Sequence, residues 1–329
     1  MYDEFLNFIF PLAKGAGEIQ LAYFRGDDLG IETKSNAYDV VTRADKESEA
    51  YIVQAILGRY PGHGILGEEG GVMGTAGSDY RWVIDPLDGT TNYSQGLPIF
   101  SVSIALQHKG ETVAGVVYAP YLGELFWASK GGGAYMKSRS GEVKRLQVSA
   151  KQTLATSVLA TGFPYDKDVN PDNNSDNVAR IIPYVRDIRR LGSAAYDLSC
   201  IAAGLLDGYW ELDLHEWDVC AANLIVREAG GVVCDFRRNR GQRGARRGDA
   251  QIYPIGRAAR GCDGRQPLLR GADIRSASRF FAGGGICPFA TNGAKLCPDV
   301  LFYLRRESGF KIFSYFWQDK NFENECVGL

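Results

Sequence analysis

The stretch from Trp82 to Tyr93, WVIDPLDGTTNY, sets Asp85 and Asp88 on either side of a Pro-Leu step and follows them at once with Gly89, Thr90 and Thr91. Carboxylates held that close repel, so a cation lies between them, one carries a proton, or both face water. More acids recur near ends of apolar runs: Glu68 and Glu69 after GILG, and Asp218 in WDVCAANLIVREAGG. Any one of these beside a Pro or Gly fits a solvated turn. As a set drawn from separate segments they fit a hard divalent cation, since magnesium takes a few carboxylates, sometimes a backbone carbonyl, and completes its shell with water and phosphate oxygens. Gly89 lets the backbone approach a ligand closely. A helix starting there would present free amides and its positive end to a phosphate, with threonine hydroxyls as further donors. A cation site beside an anion site is the arrangement that phosphate-ester hydrolysis requires.

These residues need elements to carry them. Trp82, Val83 and Ile84 read as a strand that Pro86 and Gly89 stop, which puts both aspartates where a strand becomes a turn. Phe5, Phe8, Ile9, Leu12, Ala16, Ile19 and Tyr23 recur at the spacing of a helix with one buried face, with Pro11 a candidate kink. In DVVTRADKESEAYIVQAIL, Thr42 precedes Asp45 as in a capped second helix, so Asp45 can be a helix-start residue and nothing more. Short apolar runs from Phe100 to Lys137, parted by glycine-rich turns, read as antiparallel strands. GSAAYDLSCIAAGLLDGYWEL predicts a helix from Gly192 to about Leu206 and then a strand, and WDVCAANLIVREAGG predicts another helix ending at Gly230 and Gly231. Helices and strands in blocks favour α+β layers over regular βαβ alternation. No internal repeat is visible.

Several chemistries are excluded. His63, His108 and His215 form no His-x-x-x-His or triad pattern, and there is no Gly-x-Ser-x-Gly elbow, Walker loop or Cys-x-x-Cys pair. No apolar run reaches the roughly 18 residues of a membrane span. The start MYDEFLNFIF is unlike the basic opening of a signal peptide, so a cytoplasmic protein is expected. Lys34, before a turn, is expected to be a surface lysine. Glu211, after a Tyr-Trp pair, is equally well an exposed strand acid or a site residue.

WVIDPLDGTTNY together with LHEWDVCAANLIVREAGG resembles the paired signatures of the inositol monophosphatase family, magnesium-dependent and lithium-sensitive phosphatases; GILGEEGG and RRLGSAAYDL fit the same family. The resemblance runs from the N-terminus to about Asp235 and implies a layered αβαβα sandwich of the inositol monophosphatase and fructose-1,6-bisphosphatase type. It also implies two or three magnesium ions. Glu68, Asp85 and the backbone carbonyl of Leu87 would hold the activating ion, and Asp85, Asp88 and Asp218 the second. Thr90, with Asp45 or Glu68 nearby, would orient the attacking water, and the backbone of Gly89 and Thr90 would take the phosphate. Asp88, Ala194, Glu211 and Asp218 would meet the hydroxyls of a phosphorylated polyol. The expected activity is hydrolysis of inositol monophosphate by a homodimer. The alternatives are fructose 1,6-bisphosphate, histidinol phosphate or a 3'-phosphonucleotide as substrate, or a regulatory, nucleic-acid-associated protein with a secondary site.

Past Asp235 the pattern fails. Phe236 to Arg279 holds twelve arginines, no lysine and three acids, a net charge of +9. The whole chain carries -2 and residues 280–329 balance five bases with five acids, which leaves about -11 for residues 1–235. The basic segment has little helical or strand periodicity. It reads either as an arm for nucleic acid or other anions or, more simply, as a reading frame shifted near codon 237. Residues 1–235 are thus expected to form the catalytic domain, with 236–329 an atypical tail. Four of the seven cysteines, Cys262, Cys287, Cys297 and Cys326, lie in that tail at spacings that match no zinc module.

Overall fold

The computed structural model describes residues 2–235, 251–253, 301–306 and 309–314. Helix α1 (Asp3–Tyr23) runs unbroken through Pro11 and buries Phe5, Leu6, Ile9, Leu12, Ala13 and Ala16 on one face. A two-strand hairpin, β1 (Glu32–Thr33) and β2 (Val40–Val41), leads into α2 (Arg43–Arg59). Next come β3 (Gly64–Gly67), β4 (Gly71–Gly74), β5 (Tyr80–Asp88) and the five-residue helix α3 (Thr90–Ser94). An antiparallel run follows: β6 (Ser101–His108), β7 (Glu111–Ala119), β8 (Glu124–Ser129), β9 (Gly133–Lys137) and β10 (Val143–Arg145). The remaining elements are β11 (Val158–Thr161), α4 (Ser175–Ile181), β12 (Asp187–Arg189), α5 (Ala194–Ala202), β13 (Gly208–Glu211), α6 (Glu216–Glu228), β14 (Cys234–Asp235) and β15 (Gln251–Tyr253). A separate hairpin pairs β16 (Leu301–Arg306) with β17 (Gly309–Ser314).

Eight strands form one sheet in the order β10-β9-β8-β7-β6-β5-β3-β4, antiparallel except where β3 meets β5. Five form a second, β12-β11-β13-β15-β14, with parallel β11–β12 and β11–β13 pairs. The layers follow from what each face buries. On β5 and β6, Trp82, Ile84, Val102, Ile104 and Leu106 pack against α1 and α2. Val83 and Ala105, alternating with them, face α5 and α6. Tyr209 and Ala160 of the second sheet cover the other side of α5 and α6. Ile181 and Val178 of α4 pack on that sheet's outer side with Leu159 and Trp210. Helices, sheet, helices, sheet and helix thus stack in five layers, the αβαβα sandwich expected from the resemblance.

The expected α1, α2, β5, the antiparallel run and α5 and α6 are all present, α5 stopping at Ala202 and α6 at Glu228. Within the Arg-rich segment, β15 lies between β13 and β14, with Tyr209 opposite Tyr253 and Asp235 opposite Gln251. Three residues are too few to show a period, which is why the sequence carried no sign of this strand. The rest of 236–329, apart from the β16–β17 hairpin, lies outside the described residues, including the four tail cysteines. Among the described residues no helix is long and apolar enough to cross a membrane.

Candidate active site

The ladder between β5 and β6 explains the Pro-Leu step. Asp85 pairs with Ser103 and Asp88 with Ser101, so three residues of β5 span two of β6: a bulge. On a regular strand, residues three apart point to opposite faces. Here both aspartates sit opposite serines that share a face, so both point the same way. That face belongs to α5 and α6: the Ser103 hydroxyl donates to the Trp217 carbonyl, 3.3 Å, and Ser101 Oγ is 3.1 Å from Ser193 Oγ at the start of α5. Proline suits the bulge because it has no N–H to lose from the ladder. The carbonyls of the step turn elsewhere: Gln20 Nε2 donates to Pro86 O, 2.6 Å, and Thr90 Oγ1 lies 3.0 Å from Leu87 O. Gly89 follows at φ 96°, and a Cβ there would stand 3.0 Å from the Gly192 carbonyl and 3.1 Å from that of Ile99, so only glycine fits. The helix expected after it is α3, a single short turn and a half.

Two of the acids are fixed by one device. Asp45 is the third residue of α2 and Asp218 the third of α6; each turns Oδ2 back to the amide before its helix, Thr42 N at 2.8 Å and His215 N at 2.6 Å. Their Oδ1 atoms are left for other work. Asp45 Oδ1 is 2.9 Å from Thr90 Oγ1. The Thr42 hydroxyl also donates to Asp45. Asp88 is held from α5, accepting from Ser193 Oγ at 2.6 Å, Ala195 N at 2.7 Å and Ala194 N at 3.2 Å. Asp85 Oδ1 accepts from Leu87 N, 3.0 Å. Glu68 sits in the turn between β3 and β4, its amide donating to Ile84 O at 3.2 Å. Ala194 is expected at the substrate; its amide donates to Asp88.

Burial and mutual repulsion raise the proton affinity of the whole group. Asp85, 1% exposed, lies well above the usual carboxylate range, first through burial and then through Glu68, Asp88 and Asp218. The Glu68 carboxyl adds to that rise, since two like charges held close favour a proton on one of them. Asp218 is raised strongly by burial and by Glu68 and Asp88, and Asp88 is raised by burial against the pull of its three donors. Glu68 is pushed up to about 7 by burial, Lys34 opposing, and Asp45 to about 6 by burial. Glu68 keeps 20% of its side chain in solvent, so it is better screened than Asp85. Of the three options open for the aspartate pair, facing water is the one that burial removes.

Lys34 is exposed, as expected of a surface lysine, but it is paired. Its ammonium lies 2.9 Å from Glu68 Oε1 and also pairs with Glu69, and the two acids hold its pKa above the usual lysine value although burial alone would lower it. The β1–β2 hairpin delivers it there, with Asn36 Nδ2 donating to Tyr165 O at 3.2 Å from the same loop. The sequence held no sign of this, since a hairpin of two-residue strands has no period. Glu211 is not an exposed strand acid: it is 9% exposed, accepts from the Tyr209 hydroxyl, and is pushed up to about 7 by burial, with Arg190 opposing and Asp88 adding.

The donor set is all oxygen, carboxylates with the Leu87 carbonyl beside them, which suits magnesium and not a soft metal. The acids are gathered but not closed: among the described residues no three His, Cys, Asp or Glu side chains stand ready to enclose an ion. Asp45, Glu68, Asp85, Asp88, Glu211 and Asp218 nonetheless share one neighbourhood, joined by the charge interactions just described and flanked by Gly89, Thr90 and Ala194. A cation drawn among them would relieve their repulsion and displace the protons that burial favours.

The family model for the inositol monophosphatase family matches residues 1–258. The chain is 47% identical over 235 residues to the Nus factor SuhB of Pasteurella multocida, covering 71% of this chain and 86% of that one. It is 40% identical over 225 residues to the inositol-1-monophosphatase of Mesorhizobium japonicum, covering 68% and 80%. The solved inositol monophosphatase of Anabaena (Nostoc) sp. PCC 7120 superposes with a TM-score of 0.66 at 36% identity, over 77% of this chain and 92% of that one. With the five layers, the bulged aspartates and these relatives in agreement, the chain belongs to the inositol monophosphatase family.

Proposed function

We propose that this chain hydrolyses a small phosphate monoester with bound magnesium, and that inositol monophosphate is its substrate. The observation that carries the reading is the β5 bulge, which aims Asp85 and Asp88 to one side and sets Gly89 and Thr90 immediately beside them. Glu68, Asp85, Leu87 O, Asp88 and Asp218 would hold two or three magnesium ions. When bound, magnesium supplies a Lewis acid for a water nucleophile and for the phosphoryl and leaving oxygens. The Thr90 hydroxyl, donating to Asp45, leaves its lone pairs to receive a proton from the attacking water, and a carboxyl near pKa 6 accepts that proton in turn near neutral pH. Amides of Gly89 and Thr90 would hold the phosphate, since the first amides of a helix lack partners within it. Asp88, Ala194, Glu211 and Asp218 would border the polyol.

Phosphate release from inositol 1-phosphate, measured with magnesium, with chelator and with lithium added, tests this. Magnesium-dependent turnover blocked by lithium is expected. Turnover only on fructose 1,6-bisphosphate, histidinol phosphate or a 3'-phosphonucleotide would keep the chemistry and change the substrate, and no turnover on any of them would refute it. We propose a homodimer in a cytoplasmic setting, to be checked by sedimentation and fractionation.

A regulatory reading is favoured by the Nus factor name of the Pasteurella relative and by the +9 charge of Phe236 to Arg279. Its test is salt-dependent binding to RNA or DNA that disappears when residues 237–279 are deleted. The catalytic unit is proposed to be residues 1–235, with the tail arising from a shifted frame. Failure of the other two frames after codon 237 to restore the family pattern would overturn that.

A further inference from the structure

Helix α2 carries a second buried acid one turn after Asp45. Glu49 is 5% exposed. Oε2 accepts from Glu69 N at 2.9 Å and Oε1 from Gly70 N at 2.6 Å, so both are spent on the backbone of the turn that bears Glu68. The turn is moulded to this carboxylate. A Cβ on Gly67 would stand 2.5 Å from Glu49 Oε2, and one on Gly70 2.8 Å from Oε1. Glu68 itself is tied to β5 through Ile84 O on one side and, through its next two residues, to α2 on the other. We infer that Glu49 is a positioning residue that fixes the Glu68–Glu69 turn, and through it the reach of Glu68 toward Asp85, for magnesium binding. Asp45 and Glu49, at i and i+4 on one face, then make α2 the common support of Thr90 and of Glu68.

The inference rests on the magnesium reading above. Calorimetric titration of magnesium into the full chain without substrate separates the two. Binding by the wild type with about tenfold weaker binding by Glu49→Gln, at an unchanged far-UV spectrum and a cooperative melt, is the expected result, because loss of an outer partner costs about 10–100-fold in metal affinity. Glutamine keeps one acceptor and turns an NH2 on the other amide, so the turn loosens while the side-chain volume stays. Equal affinity in Glu49→Gln would overturn the positioning role and leave the magnesium reading intact. Absence of binding in the wild type would overturn both. Should Glu49→Gln not fold, Gly67→Ala displaces the same carboxylate sterically: weaker binding that is partly regained in Gly67→Ala combined with Glu49→Asp, whose shorter acid makes room, supports the inference. No regain would overturn it.

Discussion

Replacing Asp88 by asparagine separates what its carboxylate does for the fold from what it does for the reaction. Its two oxygens accept three hydrogen bonds, from Ser193 Oγ, Ala194 N and Ala195 N. An asparagine keeps one oxygen. Placed where Oδ2 now lies, that oxygen still serves Ser193 and Ala195, and the NH2 then faces the Ala194 amide, donor to donor. One buried amide left without its acceptor costs about 1–3 kcal/mol. For a domain of this size that lowers Tm by roughly 2–12 °C, and a fold of about 5–15 kcal/mol survives it. Turnover should suffer more. If the lost charge removes about 4 kcal/mol of transition-state stabilisation, the rate falls about a thousandfold. Differential scanning fluorimetry and phosphate release from inositol 1-phosphate, run on one preparation, give both numbers. Turnover within tenfold of the wild type in a folded variant would refute the placement of Asp88 at the reaction centre. A variant with no cooperative melt would refute the assignment of two surviving hydrogen bonds.

Other perturbations follow from the same geometry. Glu68 and Glu211 at about 7 and Asp45 at about 6 keep protons in the folded chain that their ordinary values of 4.5 and 3.8 would release. Their contribution to stability is thus complete below about pH 4 and lost as pH rises through 6 to 7, so Tm in chelator should fall between pH 5 and pH 7.5. Magnesium should raise Tm more at pH 7.5 than at pH 5, and equal shifts would count against a cation among these acids. Thr90→Val removes the hydroxyl between Asp45 and Leu87 O and should lower kcat by about 10²–10⁴, with Thr90→Ser retaining most of it; equal loss in both would contradict a role for the hydroxyl. Gly115→Val would press on α6, since a Cβ there already stands 2.9 Å from the Ala221 backbone. The expected cost is about 1–3 kcal/mol in chemical denaturation, and no loss would mean that α6 can retreat.

What was legible in the sequence were the elements long enough to show a period. Phe5 to Tyr23 gave α1, the runs from Phe100 to Lys137 gave β6 to β9, and Thr42 with Asp45 gave the start of α2. Of the second sheet only β13, the strand after the α5 segment, was legible. Strands β11, β12 and β15 have three or four residues each, shorter than two full alternations. The acids of the site could be named, and their meeting at a cation expected, but not the backbone device that brings them together. Asp85 and Asp88 have the spacing of residues on opposite faces, and only the register with Ser103 and Ser101 brings them together. Lys34 was read only as a surface lysine and Glu49 was passed over, because each acts through a partner distant in sequence. Glu49 did leave a trace: it follows Asp45 by one helical turn and precedes the buried Ile52 and Ile56, a place where an unpaired acid would be costly.

The bulge also fixes how many residues may stand between the two aspartates. Deleting Pro86 would let the ladder close in regular register and, because residues two apart share a face, would still leave two aspartates pointing the same way. What would vanish is the spare carbonyl: with no extra residue, Leu87 O would return to the strand and no longer meet Thr90. The two arrangements are separable by chain length alone. Substitutions at Pro86 and Leu87 change the shape of the step, whereas a one-residue deletion keeps both acids and takes away a neutral oxygen, so insertions and deletions should collect in loops such as that between Ser138 and Gly141 and spare this one.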